Sequence, residues 1–143
     1  MLKGIPALIS PEMMKALMEM GHGDEIVLAD ANFPAATCAK RLIRSDGHSL
    51  PQLLEQVLRF LPLDRSLPHP VVLMAVNSAE TAPALWEEYR RILRAAEPDF
   101  DGFEHVERFQ YYERAKNAFA VVISGDTTFR GNIMLRKGVV REP

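Results

Sequence analysis

The chain has 143 residues, 48% hydrophobic and 25% charged, with 17 basic against 19 acidic side chains and a formal net charge of −2. That length supports one compact core rather than two, so residues 1–143 read as a single domain, and the mixed charges exclude the basic footprint of a protein that binds nucleic acid or an anionic membrane. Cys38 stands alone, which excludes an internal disulfide framework or a paired-thiol motif; with no signal-peptide pattern and no membrane-length apolar run, the expectation is a cytoplasmic protein without membrane contact.

In chain order, Ser10-Pro11-Glu12 reads as a helix start: a capping serine, proline in the first helical position and an acid in the first turn. Met13, Met14, Leu17 and Met20 follow at helical spacing until Gly21 stops the run. Ile26 to Ala29 is a buried strand that ends on Asp30. Asn32-Phe33-Pro34 is a loop, Ala35 to Lys40 a short helix, and Leu42-Ile43-Arg44 an extended piece closed by the turn residues Ser45-Asp46-Gly47. A second helix spans Leu50 to Phe60, with Leu53, Leu54, Val57 and Leu58 on one face. Pro62, Pro68 and Pro70 then interrupt the chain before Val71 to Val76, a continuous apolar run that suits a strand buried on both sides. Ala82 to Ala96 is a helix with Leu85, Trp86, Tyr89, Ile92 and Leu93 as its apolar stripe. Phe109 to Ala118 is helical, Phe119 to Ile123 a buried strand, and Asn132 to Leu135 the last strand. Helices alternating with apolar strands predict an α/β fold: one three-layer domain whose largely parallel central sheet carries helices on both faces.

Three clusters have the residue types of a site. In the first, His22 sits between Gly21 and Gly23 just before a strand, and Asp30 closes that strand. Histidine exchanges a proton near neutrality, and ligands of open α/β sheets collect beyond strand ends, so the pair suggests proton transfer on a small polar molecule. The plainer reading makes His22 a loop residue bonding the backbone near Gly21, and Asp30 a cap for the short helix. Metal binding is the weakest option: strand alternation turns Glu25 away from Asp24, and no second histidine stands at a ligand spacing. The glycines fit neither a P-loop nor a dinucleotide fingerprint. His48, His69 and His105 fall in polar, loop-like stretches and read as solvated.

The second cluster, Arg108 to Arg114, opens a helix. Tyr112, Glu113 and Lys116 fit an exposed face held by spaced ion pairs, whereas Arg108 is free to reach a ligand. In the third, Phe129-Arg130-Gly131-Asn132 precedes the last strand; its glycine permits close backbone approach, and Asn132 offers both a donor and an acceptor, as a sugar hydroxyl requires. A simple tight turn accounts for the same residues.

Taken in order, Leu8-Ile9-Ser10-Pro11-Glu12, Gly21 to Ile26, Asp30-Ala31, Phe33-Pro34, Arg108-Phe109, Tyr112-Glu113-Arg114-Ala115, Ala118-Phe119-Ala120 and Gly131-Asn132-Ile133 resemble the family of L-fucose mutarotase and D-ribose pyranase, on the fucose side. The resemblance implies a ribose-pyranase-like fold and a cytoplasmic isomerase that interconverts the α and β anomers of a free aldose, L-fucose or a related monosaccharide, without metal or other cofactor. It also implies a ring-shaped homo-oligomer, commonly a decamer. His22 matches the family's proton donor; Asp30, Arg108, Gly131 and Asn132 match substrate-contacting positions, and Tyr112 is assigned to the proton relay. Asp30 is assigned as an acceptor that orients His22 or a sugar hydroxyl. Arg130 is assigned to substrate binding with Gly131 and Asn132, although it departs from the family pattern, standing where tyrosine is usual. Two alternatives stay open: a monosaccharide-binding or regulatory protein that has lost turnover through Arg130, and a pyranase exchanging ring forms of ribose.

Overall fold

A computed structural model describes residues 1–142. Its elements are α1 (Pro11–Glu19), β1 (Glu25–Ala29), α2 (Ala35–Cys38), β2 (Leu42–Ser45), α3 (Leu50–Val57), β3 (Val71–Met74), α4 (Leu85–Ala96), β4 (Glu104–Val106), α5 (Arg108–Asn117), β5 (Ala120–Ser124) and β6 (Ile133–Arg136). The six strands form one sheet in the order β2-β5-β1-β6-β3-β4. β1 runs parallel to β5, β5 to β2 and β3 to β4, whereas β6 runs antiparallel to both of its neighbours, β1 and β3. The sheet is therefore mixed, with five strands pointing one way and the latest in sequence wedged between β1 and β3 in the opposite sense.

Residue alternation along the strands builds the layers. Ile26, Leu28, Val71, Leu73, Ala120, Val122, Ile133 and Leu135 face a core shared with α1, α3 and α4. Val27, Ala29, Val72, Met74, Val121, Ile123 and Met134 face a smaller core under α2 and α5. β1, β3 and β5 are buried almost throughout, as strands covered on both faces must be.

The helices begin where local chemistry satisfies their free N–H groups. Ser10 Oγ accepts from Met13 N at 3.1 Å, Ser49 and Gln52 form a reciprocal capping box, and the Glu107 carboxylate accepts from Phe109 N and Gln110 N. Several boundaries differ from the sequence expectation. α4 starts at Leu85, not Ala82, because Pro83 disfavours the helical conformation at the residue before it, Ala82. β3 ends at Met74, α3 ends at Val57, and Arg108 lies inside α5 rather than before it. β4 was not expected: its three residues carry too little apolar alternation to signal a strand, yet they pair with β3 at the sheet edge. His105 consequently lies on a strand, 5.3 Å from the Trp86 ring centroid, although it stays exposed.

Candidate active site

The sequence-singled residues gather at two places, at opposite ends of β1 and β6. The first lies where α1 hands over to β1. Gly23 takes φ +87°, a left-handed conformation that glycine adopts without steric penalty. Its N–H bonds Lys137 O at 2.8 Å, while Lys137 N bonds Asp24 O, so the turn carrying His22 is pinned to the end of β6. His22 Nε2 lies 3.2 Å from Asp64 Oδ1. The side chain of Asp64 is only 2% exposed, and it also accepts from the Ser66 hydroxyl at 2.7 Å, Ser66 N at 2.9 Å and Arg136 Nε at 2.9 Å. Burial alone would push this carboxyl up; the bonds from Ser66, His22 and Arg136 prevail and hold it well below the ordinary carboxylate range. Asp64 is thus an anion at any working pH. An anionic acceptor requires the proton of a neutral His22 to sit on Nε2, which leaves Nδ1 for exchange with a ligand.

Asp64 was missed in the sequence. It is 42 residues from His22, in a proline-broken segment without periodicity, and only pairing with the end of β6 brings it in: Asp64 N bonds Arg136 O at 3.0 Å. The expectation that Asp30 orients His22 is accordingly corrected: Asp64 holds that position.

Asp30 belongs to the second place, beyond the carboxyl end of β1. Its N–H donates to Asn132 Oδ1 at 2.8 Å, tying the two strand ends together, and its Oδ1 accepts from Asn32 N at 2.8 Å. Burial raises the Asp30 carboxyl above its ordinary value, against the bonds from Asn32, Asn132 and Phe33; nearby Asp126 adds to the rise. The N-terminus of α5 faces the same end. Arg108 Nε donates to the Tyr112 hydroxyl oxygen at 3.0 Å, and Tyr112 lies edge-on to Phe33, with ring centroids 5.5 Å apart. The Tyr112 hydroxyl therefore receives one bond and keeps its own proton to give.

The loop before β6 is fixed from α4. Trp86 Nε1 donates to Arg130 O at 3.0 Å and the Tyr89 hydroxyl to Gly131 O at 2.6 Å. Gly131 suits this tight passage, since a Cβ would meet Leu50 Cδ1 at 2.9 Å and Thr128 O at 3.0 Å, and both would have to give way. Arg130 takes φ +56°, and its guanidinium forms a two-point pair with Glu80, Nε to Oε2 at 3.1 Å and Nη2 to Oε1 at 3.0 Å. Among the described residues no three His, Cys, Asp or Glu side chains stand together as a metal site, and no helix is long and apolar enough to cross a membrane.

The geometry divides the chemistry. One end offers a histidine backed by a buried anion; the other offers a carboxylate, an amide, a phenol and guanidinium groups. From Asp24 to Asp30 the chain runs extended for six residue steps, on the order of 20 Å at 3.3 Å per residue.

The family described as RbsD / FucU transport protein family matches residues 3–140. The chain is 51% identical to the fucose mutarotase of Homo sapiens over 146 residues, covering 97% of this chain and 94% of the human protein. It superposes on the crystal structure of the fucose mutarotase from Streptococcus pneumoniae in complex with L-fucose with a TM-score of 0.94, at 46% identity over 98% of this chain and 100% of that one. Bacillus subtilis RbsD complexed with D-ribose shares the fold, with a TM-score of 0.72 at 21% identity over 99% of this chain and 100% of that one.

Proposed function

The chain belongs to the RbsD / FucU family, and from that membership we propose that it is a fucose mutarotase, an isomerase interconverting the α and β anomers of L-fucose. The observation that carries this reading is the near-complete match to a fucose mutarotase crystallised with L-fucose, at an identity and TM-score that leave the fold unchanged.

Mutarotation needs two proton transfers. The anomeric hydroxyl loses a proton while the ring oxygen gains one and the C1–O5 bond breaks; the aldehyde turns about C1–C2 and the ring closes on its other face by the reverse transfers. His22 serves as the acid at the ring oxygen through Nδ1, with Asp64 stabilising the imidazolium from which the proton leaves. Asp30 accepts from a sugar hydroxyl through Oδ2, the oxygen not bound to Asn32, and its raised pKa makes it a better base than an exposed aspartate. Arg108 holds Tyr112 so that the phenol proton faces away from the guanidinium and toward the sugar, where it completes the relay. Asn132, with Gly131 and Arg130 beside it, sets the position of the ring.

No monosaccharide spans the distance between His22 and Asp30 of one chain, so the working site joins the His22–Asp64 end of one copy to the Asp30–Asn132 end of the next. Such a head-to-tail contact uses two different patches and closes into a ring; two stacked rings give the decamer. A cytoplasmic location suits the lone, buried Cys38 thiol.

Anomer exchange by NMR saturation transfer tests both parts. The wild type should accelerate exchange of L-fucose, and His22→Ala and Asp30→Asn should each abolish most of it. Co-refolded at equal amounts, the two inactive variants should regain roughly a quarter of the wild-type rate, since one site in four then receives both intact halves. Binding of L-fucose without exchange would identify a non-catalytic sugar-binding protein instead, and exchange confined to ring forms of D-ribose a pyranase. Absence of any recovery in the mixture would rule out the shared site.

A further inference from the structure

We propose that Glu80 determines specificity at this sugar site, by cancelling the charge of Arg130 so that the pocket accepts neutral aldoses and turns away sugar acids. The proposal rests on the mutarotase reading above.

Glu80 lies on the loop after β3, and it pairs with Arg130, the residue directly before Gly131 and Asn132. Both side chains are largely enclosed, 13% exposed for Arg130 and 15% for Glu80, so the two charges face each other with little water between them. Each partner is anchored independently. Glu80 Oε1 accepts from Asn77 N at 3.3 Å and Glu80 N donates to Asn77 O at 3.1 Å. Arg130 is held through its carbonyl by Trp86 and rests Nη1 on Met74 Sδ at 2.6 Å. With Nε and one N–H of Nη2 given to Glu80 and one N–H of Nη1 to Met74, one N–H on each terminal nitrogen remains uncommitted.

An arginine next to Gly131 and Asn132 has two possible effects on a ligand. Alone, its fork of donors and permanent charge would select a carboxylate. Bound at two points to Glu80, it retains spare donors but contributes no net charge. The pair is thus neutral as a unit while it still offers two N–H donors. Glu80 also feels the second guanidinium of the site: the bond from Arg130, and more weakly the field of Arg108, keep its carboxyl below the ordinary value and therefore charged.

The discriminating probe is L-galacturonate, which carries a carboxylate where L-fucose carries a methyl group. Exchange rates and affinities for both sugars would be measured by NMR on wild type, Glu80→Gln and Arg130→Gln. The wild type should favour L-fucose. Glu80→Gln keeps the shape and removes the charge, and should lower the L-fucose to L-galacturonate ratio by about tenfold, the worth of one charge-assisted bond, through KM rather than kcat. Arg130→Gln leaves the glutamate unpaired and should move the ratio the other way; it decides the matter if Glu80→Gln fails to fold. A ratio within about twofold of wild type in a folded variant would overturn the proposal. The same ratio read from binding tests Glu80 even if no exchange of L-fucose is found, an outcome that would instead remove the mutarotase reading.

Discussion

At the scale of single residues, Asp64 makes the sharpest claim because it joins stability to proton transfer. Its carboxyl is held low in the folded chain, against burial, by Ser66, His22 and Arg136. A depressed folded pKa contributes stability that is fully present above the unfolded value, near 3.9, and is lost as pH falls through the folded one. Asp64→Asn should therefore cost about 2–3 kcal/mol at neutral pH in urea unfolding, with the gap to wild type narrowing only below about pH 4. A gap that stays constant through that acid range would show that the charge contributes nothing. The same substitution should slow L-fucose exchange by roughly ten- to a hundredfold, less than the ~10²–10⁴-fold worth of a proton-transfer group itself, since His22 keeps its imidazole and loses the anion that orients it. His22 and Asp30 were visible in the sequence because both flank one apolar strand. Asp64 was not, because nothing local distinguishes an aspartate in a proline-broken loop until β6 is laid beside it.

At the scale of elements, α4 acts as the clamp for the loop that opens β6. Burial pushes the Tyr89 phenol far above its ordinary value, so it remains a donor to Gly131 O throughout the working range. Tyr89→Phe leaves that carbonyl without its partner, and should destabilise the chain by about 1–2 kcal/mol and raise KM for L-fucose more than it lowers kcat. Unchanged stability and KM would mean that the loop needs no such clamp. Elements with strong periodicity were legible: α1, α3 and the buried strands β1, β3 and β5 each declared themselves through caps or continuous apolar runs. β4 was illegible for a physical reason, since an edge strand with one covered face and three residues has almost no pattern to display. The reversed direction of β6 was equally hidden, because side-chain alternation is the same whichever way a strand runs.

At the scale of the whole molecule, the shared site proposed above predicts that activity follows assembly. Sedimentation velocity should find a closed oligomer at micromolar concentration, and the exchange rate per chain should fall on dilution in step with its dissociation. A monomer with the full rate at nanomolar concentration would refute the shared site. The position of β6 has another consequence, one for folding. In a chain without β6, β2, β5 and β1 can pair on one side and β3 and β4 on the other, but β1 and β3 have no strand between them. Two raw sheet edges, both built of the most apolar strands in the chain, must wait for Ile133 to Arg136. The sheet therefore closes only once β6 is in place, and a chain in which β6 has not yet docked is the form most exposed to aggregation.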